Sequence, residues 1–157
     1  MPKIPSKLTG LAGEHYVAYK LSCLGFIAAM TREGSPTVDI LASNIEGSKT
    51  IAIQVKTTDW ATRTKGKGKN KKPYQLQFPL GYKSATNKND NYIFTFVDLN
   101  GVDWDEKEPE VYIVPSNFVY DYCKPWVDNV KMVRFHIDID IMEQYKNNWE
   151  IIESKLK

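Results

Sequence analysis

Four polar residues in the first part of the chain have types and spacing that could support acid–base or metal chemistry: Glu14, Asp39, Gln54 and Lys56. Glu14 falls near the centre of an otherwise apolar stripe if residues 8–26 form a helix. The stripe consists of Leu11, Glu14, Val17, Ala18, Leu21 and Leu24. A buried ionised carboxylate is costly unless a cation, a metal or a strong donor meets it. We therefore expect Asp39, Gln54 and Lys56 to lie near Glu14.

A predicted hairpin places the other three residues together. Residues 37–43 and 49–58 alternate as strands around a turn at 44–47. The alternation puts Ile51, Ile53 and Val55 on one face and Ala52, Gln54 and Lys56 on the other. A tight turn pairs Val38 with Val55, Ile40 with Ile53, and Asp39 with Gln54. A shift by one residue would mix apolar and charged side chains, so Asp39, Gln54 and Lys56 are expected on one face.

These residue types suit a hard divalent cation. Asp39 and the side-chain oxygen of Gln54 are ligands for Mg²⁺ or Mn²⁺ rather than zinc, and the carbonyl of Val55 offers a third. Lys56 could neutralise phosphate charge or help to deprotonate a water on the metal. Glu14 could hold such a water or a second ion. The set is what metal-assisted hydrolysis of a phosphodiester requires.

The order Glu14, Asp39 and Gln54-x-Lys56 resembles the motif of the PD-(D/E)XK, or restriction-endonuclease-like, nuclease superfamily. The Q-x-K form is similar to that of Mrr-type restriction enzymes and of some homing and phage nucleases. The resemblance covers residues 8–58. It implies an α/β (α+β) fold of αβββαβ type with a central mixed sheet flanked by helices. It also implies Mg²⁺ or Mn²⁺ as cofactor, DNA as substrate, and a homodimer or higher homo-oligomer, because cutting a duplex needs two cuts.

A basic segment follows the hairpin. Residues 63–72 carry six cations and no acid. They are Arg63, Lys65, Lys67, Lys69, Lys71 and Lys72. Most such runs are solvated loops, but this one would hang beside the site, where cations give salt-sensitive, largely sequence-independent binding to nucleic acid.

The elements that must position these residues form one domain over residues 1–157. Ser6 or Thr9 could cap the first helix, and Gly25 ends it. Residues 60–73 read as a loop, and 81–91 as a polar loop with a short helical turn. Further strands are predicted at 26–31, 74–78, 92–99 and 111–114, and helices at 117–123 and from Asp138 or Asp140 to about residue 147.

Composition narrows the class of protein. With 42% hydrophobic and 25% charged residues the chain can bury a core without disulfides, and a net charge of +2 identifies no partner. We expect a cytoplasmic protein, since no secretion signal or long apolar run is seen and Cys23 and Cys123 form no CxxC pair. His15 and His136 are too isolated for a zinc site. The acidic residues 103–110 suit a solvated turn better than a second metal site.

Three functions stay open on the residues alone. The first is a DNA endonuclease, with RNA as the alternative substrate. The second is a nucleic-acid-binding module on the same fold that has lost its chemistry through the acid-to-glutamine change at Gln54. The third is a protein-interaction domain, such as an immunity or antitoxin-like protein. By the plainest interpretation, Asp39 and Lys56 form only a surface ion pair between neighbouring strands.

Overall fold

The computed structural model describes residues 3–33, 35–102 and 107–157. Within these ranges the helices are α1 (Ser6–Cys23), α2 (Tyr82–Ala85), α3 (Ser116–Cys123), α4 (Ile139–Met142) and α5 (Glu150–Leu156). The strands are β1 (Ile27–Met30), β2 (Ile40–Ser43), β3 (Thr50–Thr58), β4 (Thr62–Lys65), β5 (Lys72–Pro79), β6 (Tyr92–Asp98), β7 (Glu110–Pro115) and β8 (Arg134–Asp138).

A five-stranded mixed sheet in the order β1-β2-β3-β6-β7 forms the centre of the molecule. β1, β2 and β3 pair antiparallel, β3 and β6 pair parallel, and β7 adds an antiparallel edge. Every residue of β6 is buried, including Thr95 and Asp98, and its mainly apolar and aromatic side chains are typical of a strand covered on both faces. The predicted α/β class with a central mixed sheet flanked by helices is confirmed.

The two faces of the central sheet are covered differently. α1 and α5 pack on one face, where Val17 and Leu21 meet Ile53 and Val55. A second, three-stranded sheet in the order β4-β5-β8 covers the other face. Its Phe78 and Phe135 pack on Phe96 of β6, with ring centroids 5.1 and 4.7 Å away.

The second sheet corrects the sequence prediction. Residues 60–73 were expected to form a loop, yet β4 and the start of β5 form a hairpin there, because β4 pairs with β5. β4 reads Thr-Arg-Thr-Lys, which carries no apolar alternation to reveal a strand. β8 was not predicted either, although its Arg-Phe-His-Ile-Asp alternation matches its burial pattern and was the available signal.

The chain between β3 and β6 also differs from the simplest αβββαβ scheme. A parallel pair needs a crossover, and a helix is the usual one. Here the crossover consists of β4, β5 and the single turn α2. α2 is short, yet its Ser84 is buried against the central sheet and contacts Gln54 of β3.

Candidate active site

Asp39 lies where β2 separates from β3. The regular pairing of the two strands runs from Ser43 opposite Thr50 to Ile40 opposite Ile53 and ends there. The backbone N–H of Asp39 still donates to the carbonyl of Ile53 at 2.9 Å. Val55, in turn, donates its N–H to Oδ2 of Asp39 at 2.7 Å, so a carboxylate takes the place of a backbone acceptor. Because strand N–H groups point within the sheet, the carboxylate lies in the gap between β2 and β3.

The predicted register holds in part. Ile40 lies opposite Ile53 as expected, but Val38 does not join Val55. Val38 packs with the cluster under the second sheet, whereas Val55 belongs to the cluster under α1. The Asp39–Val55 bond explains the difference, since it interrupts the two-residue alternation at Asp39. The expectation that Val38 pairs with Val55 is therefore wrong.

Lys56 and Gln54 point to the face covered by the second sheet. In the parallel ladder Gln54 lies opposite Phe94 and Lys56 opposite Phe96, and residues paired in this way project to the same side. Lys56 is partly buried and takes part in none of the ion pairs found among the described residues. Burial lowers the pKa of Lys56, and the nearby charge of Asp39 opposes that shift.

Gln54 is held in the interior. It is 5% exposed, and its Oε1 accepts hydrogen bonds from Ser84 Oγ at 2.8 Å and from the Tyr92 hydroxyl at 2.9 Å. The Tyr92 hydroxyl also contacts the carbonyl of Thr37, two residues before Asp39. Ser84 and Tyr92 thus tie β3 to α2 and to the segment that carries Asp39. Sequence reasoning missed both residues, and nothing in the polar stretch 81–91 marks Ser84 as a site residue.

Glu14 approaches from the other layer of the molecule. The buried residues of α1 are Thr9, Gly13, Val17 and Leu21, and Glu14 is partly buried on the flank of that face. The predicted stripe is therefore rotated from the face that α1 buries. Two of its members, Leu11 and Leu24, are 37% and 38% exposed. α1 covers the face of Ile53 and Val55, opposite to Lys56.

Asp39 is the group that connects the two layers. Burial raises the pKa of Glu14, and the negative charge of Asp39 raises it further. Burial also raises the pKa of Asp39, against the opposing effects of the Val55 N–H and of Lys56. Asp39 therefore interacts with Glu14 on one side of the sheet and with Lys56 on the other, as a carboxylate in the gap between two strands can.

The oxygen atoms at this gap suit a hard divalent cation that keeps several waters. The Val55 N–H donates to Oδ2 of Asp39, so Oδ1 is left to bind a cation. Glu14 offers a second carboxylate from the layer of α1. A cation would offset both the burial and the repulsion by Asp39 that raise the pKa of Glu14. Gln54, the other predicted ligand, does not offer a free oxygen, because its Oε1 already accepts hydrogen bonds from two hydroxyl groups. Among the described residues no group of three or more His, Cys, Asp or Glu side chains could form a metal cage.

The basic segment is an ordered hairpin rather than a loop. Arg63 and Lys65 lie in β4, Lys72 begins β5, and the remaining lysines occupy the turn between them. All six cations are exposed. Lys65 lies over the ring of Tyr74 with its Nζ 5.4 Å from the ring centroid. Gly66, with a φ of 100°, gives the turn a backbone conformation that side chains disfavour.

A groove of about 880 Å³ starts one residue beyond Lys56 and runs between the start of α1 and the second sheet. Thr57 and Thr58 line its inner end. The cations on its walls are Lys3, Arg63, Lys131 and Arg134, against one carboxylate, Asp59, among the described lining residues. Asp59 accepts a hydrogen bond from Thr9 Oγ1 at 3.0 Å, which holds the start of α1 against the end of β3.

The remaining candidates are peripheral to the gap. His15 and His136 are both exposed, and Cys23 is exposed and Cys123 buried, each as a free thiol. Residues 103–106 of the predicted acidic turn lie outside the described residues. Across the described ranges, no helix is both long and apolar enough to cross a membrane.

Comparison with known proteins supports the fold. A solved structure described as that of a bacterial homing endonuclease is similar, with a TM-score of 0.50 and 12% sequence identity over 97% of this chain and 95% of that one. No protein-family model matches the sequence. No curated protein matches it either. At this identity the likeness is one of fold alone.

Proposed function

We propose that this protein is a metal-dependent endonuclease that hydrolyses DNA phosphodiester bonds, on a fold of the PD-(D/E)XK type. The Asp39 carboxylate carries the proposal: a backbone N–H holds it in the gap between β2 and β3, within the electrostatic reach of Glu14 and Lys56. The order Glu14, Asp39, Gln54-x-Lys56 and the fold shared with a bacterial homing endonuclease support it.

Each residue has a separate role in the proposed reaction. Asp39, Glu14 and the Val55 carbonyl would hold Mg²⁺ or Mn²⁺, which supplies Lewis-acid activation of the phosphate. Lys56 neutralises the negative charge that develops on the non-bridging oxygens in the transition state. In the alternative, Glu14 is not a metal ligand and accepts the proton that the attacking water loses, a role for which its raised pKa suits it.

Gln54 takes the position where the superfamily motif has an acid, and we assign it a positioning role. Its bonds to Ser84 and Tyr92 fix the part of β3 that carries Lys56. In the alternative, Gln54 turns its oxygen toward the metal as a ligand. We further propose a homodimer, because a duplex has two strands to cut.

Cleavage of supercoiled plasmid tests the proposal. We expect nicking with Mg²⁺ or Mn²⁺ and none with EDTA. Asp39→Asn keeps an oxygen for the Val55 N–H, and Lys56→Met keeps the length of the side chain, so both variants should fold. Each should lower cleavage by at least about 100-fold, the size of effect that loss of one preorganised electrostatic group produces. Lys124→Ala, an exposed lysine remote from the gap, should cleave like the wild type.

A second candidate, an inactive nucleic-acid-binding module, is favoured by one observation: the oxygen of Gln54 is engaged in the interior rather than free at the gap. This candidate predicts DNA binding without cleavage in either metal. Cleavage that persists unchanged in both Asp39→Asn and Lys56→Met would contradict the assignment of the active site.

A further inference from the structure

The outward face of the second sheet is polar, although its inward face is part of the core. Leu76, Phe78, Phe135 and Ile137 point inward and are buried. The cross-strand pairs Arg63–Gln75, Gln75–Asp138 and Gln77–His136 place their side chains on the other face. The outward set is Arg63, Gln75, Gln77, Arg134, His136 and Asp138.

Hydrogen bonds hold the side chains of this face in defined positions. Arg63 Nε donates to Gln77 Oε1 at 2.6 Å, and Gln75 Nε2 donates to Asp138 Oδ1 at 3.1 Å. The first bond leaves the amide NH₂ of Gln77 and the terminal N–H groups of the Arg63 guanidinium for a ligand. The second bond leaves the amide oxygen of Gln75 as an acceptor for a ligand. The face thus presents donors and an acceptor whose orientation is already fixed.

Arginine and glutamine are the side chains that read base edges most directly. Arginine donates in pairs to guanine, and glutamine donates to and accepts from adenine in the major groove. That groove admits a two-stranded β-ribbon, and β4–β5 is such a ribbon at the edge of its sheet. The lysines of its turn extend beyond the glutamines, where they can contact phosphates.

The chemistry of the face favours duplex DNA over other nucleic acids. None of its six outward side chains carries a phenyl, phenol or indole ring, whereas single-strand binding relies on such large stacking platforms. The major groove of an RNA helix is too narrow for side chains to read. Burial lowers the pKa of His136, and the positive charges of Arg134 and Arg63 lower it further, so both arginines act on this part of the face.

The face is continuous with the candidate active site. Arg63, Gln77 and Arg134 form one wall of the 880 Å³ groove, and Thr57 and Thr58 lie at its inner end. Thr57 follows Lys56 directly in β3. A duplex that lies on the second sheet therefore also reaches the groove whose lining begins at Thr57, the residue after Lys56.

We propose that the outward face of the β4–β5–β8 sheet reads base sequence in the major groove of double-stranded DNA, with Arg63, Gln75 and Gln77 as the specificity-determining residues. The lysines of the β4–β5 turn contact phosphates and add affinity without sequence preference. This inference rests on the proposed function in one respect, that DNA is the substrate of the neighbouring site.

Selection from a randomised 30-base-pair duplex library tests the inference. The library is bound to the full-length wild-type protein in EDTA, so that the outcome does not depend on cleavage. We expect an enriched sequence that binds better than the unselected library. Gln75→Ala and Gln77→Ala should each reduce the preference for the enriched base by about 5- to 150-fold at one or two positions. Both side chains are at the surface, so both variants should fold.

Two control variants separate specificity from affinity. Lys69→Ala should weaken binding to all sequences alike and reduce the slope of log affinity against log salt by about one. Gln144→Ala, an exposed glutamine outside both sheets, should change neither property.

Three results would overturn the inference. They are tight binding without any enriched sequence, an enriched sequence that Gln75→Ala and Gln77→Ala leave unchanged, and no binding to any duplex at low salt. The proposed function fails differently, by absence of metal-dependent cleavage. An enriched, glutamine-dependent sequence bound by a protein that cannot cleave would support the reading face and reject the nuclease.

Discussion

At the scale of single residues, the gap beside Asp39 concentrates charges that the folded protein does not neutralise. Burial raises the pKa of Glu14 and of Asp39 and lowers that of Lys56, so each group is held in surroundings that disfavour its charged form. Such shifts cost stability and are typical of sites that are completed by a ligand. Here the missing partners would be a divalent cation for the carboxylates and a phosphate for the lysine.

Glu14→Gln should raise the stability of the metal-free protein at neutral pH. Because the folded state raises the pKa of Glu14, ionisation of this group opposes folding. That cost is absent well below the ordinary pKa of a glutamate and develops as pH rises through the folded pKa. We expect the melting temperature of Glu14→Gln to exceed that of the wild type by about 1–3 °C at pH 7.5, and the difference to vanish near pH 3.5.

Thermal unfolding in EDTA across this pH range measures the effect. Glu46→Gln, in the exposed turn between β2 and β3, serves as the control for loss of a surface carboxylate. A Glu14→Gln protein that is less stable than the wild type at neutral pH would show that Glu14 has a stabilising partner instead. The assignment of Glu14 to a group of charges that lack partners in the metal-free protein would then have to be abandoned.

At the scale of elements, α1 can serve the site only because it lies unusually close to β3. A Cβ added to Gly13 would overlap the side chain of Thr57, whereas one added to Gly10 would meet no atom within 4 Å. Glycine at position 13 therefore allows the close approach of helix and sheet. That approach brings Glu14, the next residue, within the electrostatic reach of Asp39.

Gly13→Ala and Gly10→Ala form a matched pair that tests this packing. Gly13→Ala should destabilise the protein by about 1–3 kcal/mol, because Thr57 or the helix has to move. Gly10→Ala should stabilise it by up to about 1 kcal/mol, since alanine is the better helix residue where space allows. Urea unfolding measures both. Equal effects of the two substitutions would refute the close approach.

Sequence reasoning predicted the elements with strong periodicity and missed those without it. The alternation in β3 gave the correct pairing of Ile40 with Ile53 and the shared face of Gln54 and Lys56. The alternation wrongly paired Val38 with Val55, because the Asp39 carboxylate takes the place of a backbone carbonyl as the acceptor for the Val55 N–H. The apolar stripe predicted for α1 is also rotated from the face that is buried, since Gly13 and Thr9 are buried but carry no apolar signal.

At the scale of the whole molecule, the two sheets have separate proposed tasks. The central sheet carries the candidate chemistry at Asp39 and Lys56, and the second sheet carries the cations and the polar face. The groove along Thr57 and Thr58 joins them. This division was not predictable from the sequence, because packing of the second sheet on Phe96 depends on contacts between residues far apart in the chain.

We expect Asp39 to hold the catalytic metal at the gap between β2 and β3. A crystal of the protein with Mn²⁺ and a short duplex tests it most directly, through the anomalous signal of the ion. We expect a peak beside Oδ1 of Asp39, within reach of Glu14, and a phosphate next to Lys56. A peak at any other place, or none at an Mn²⁺ concentration that supports cleavage, would contradict it.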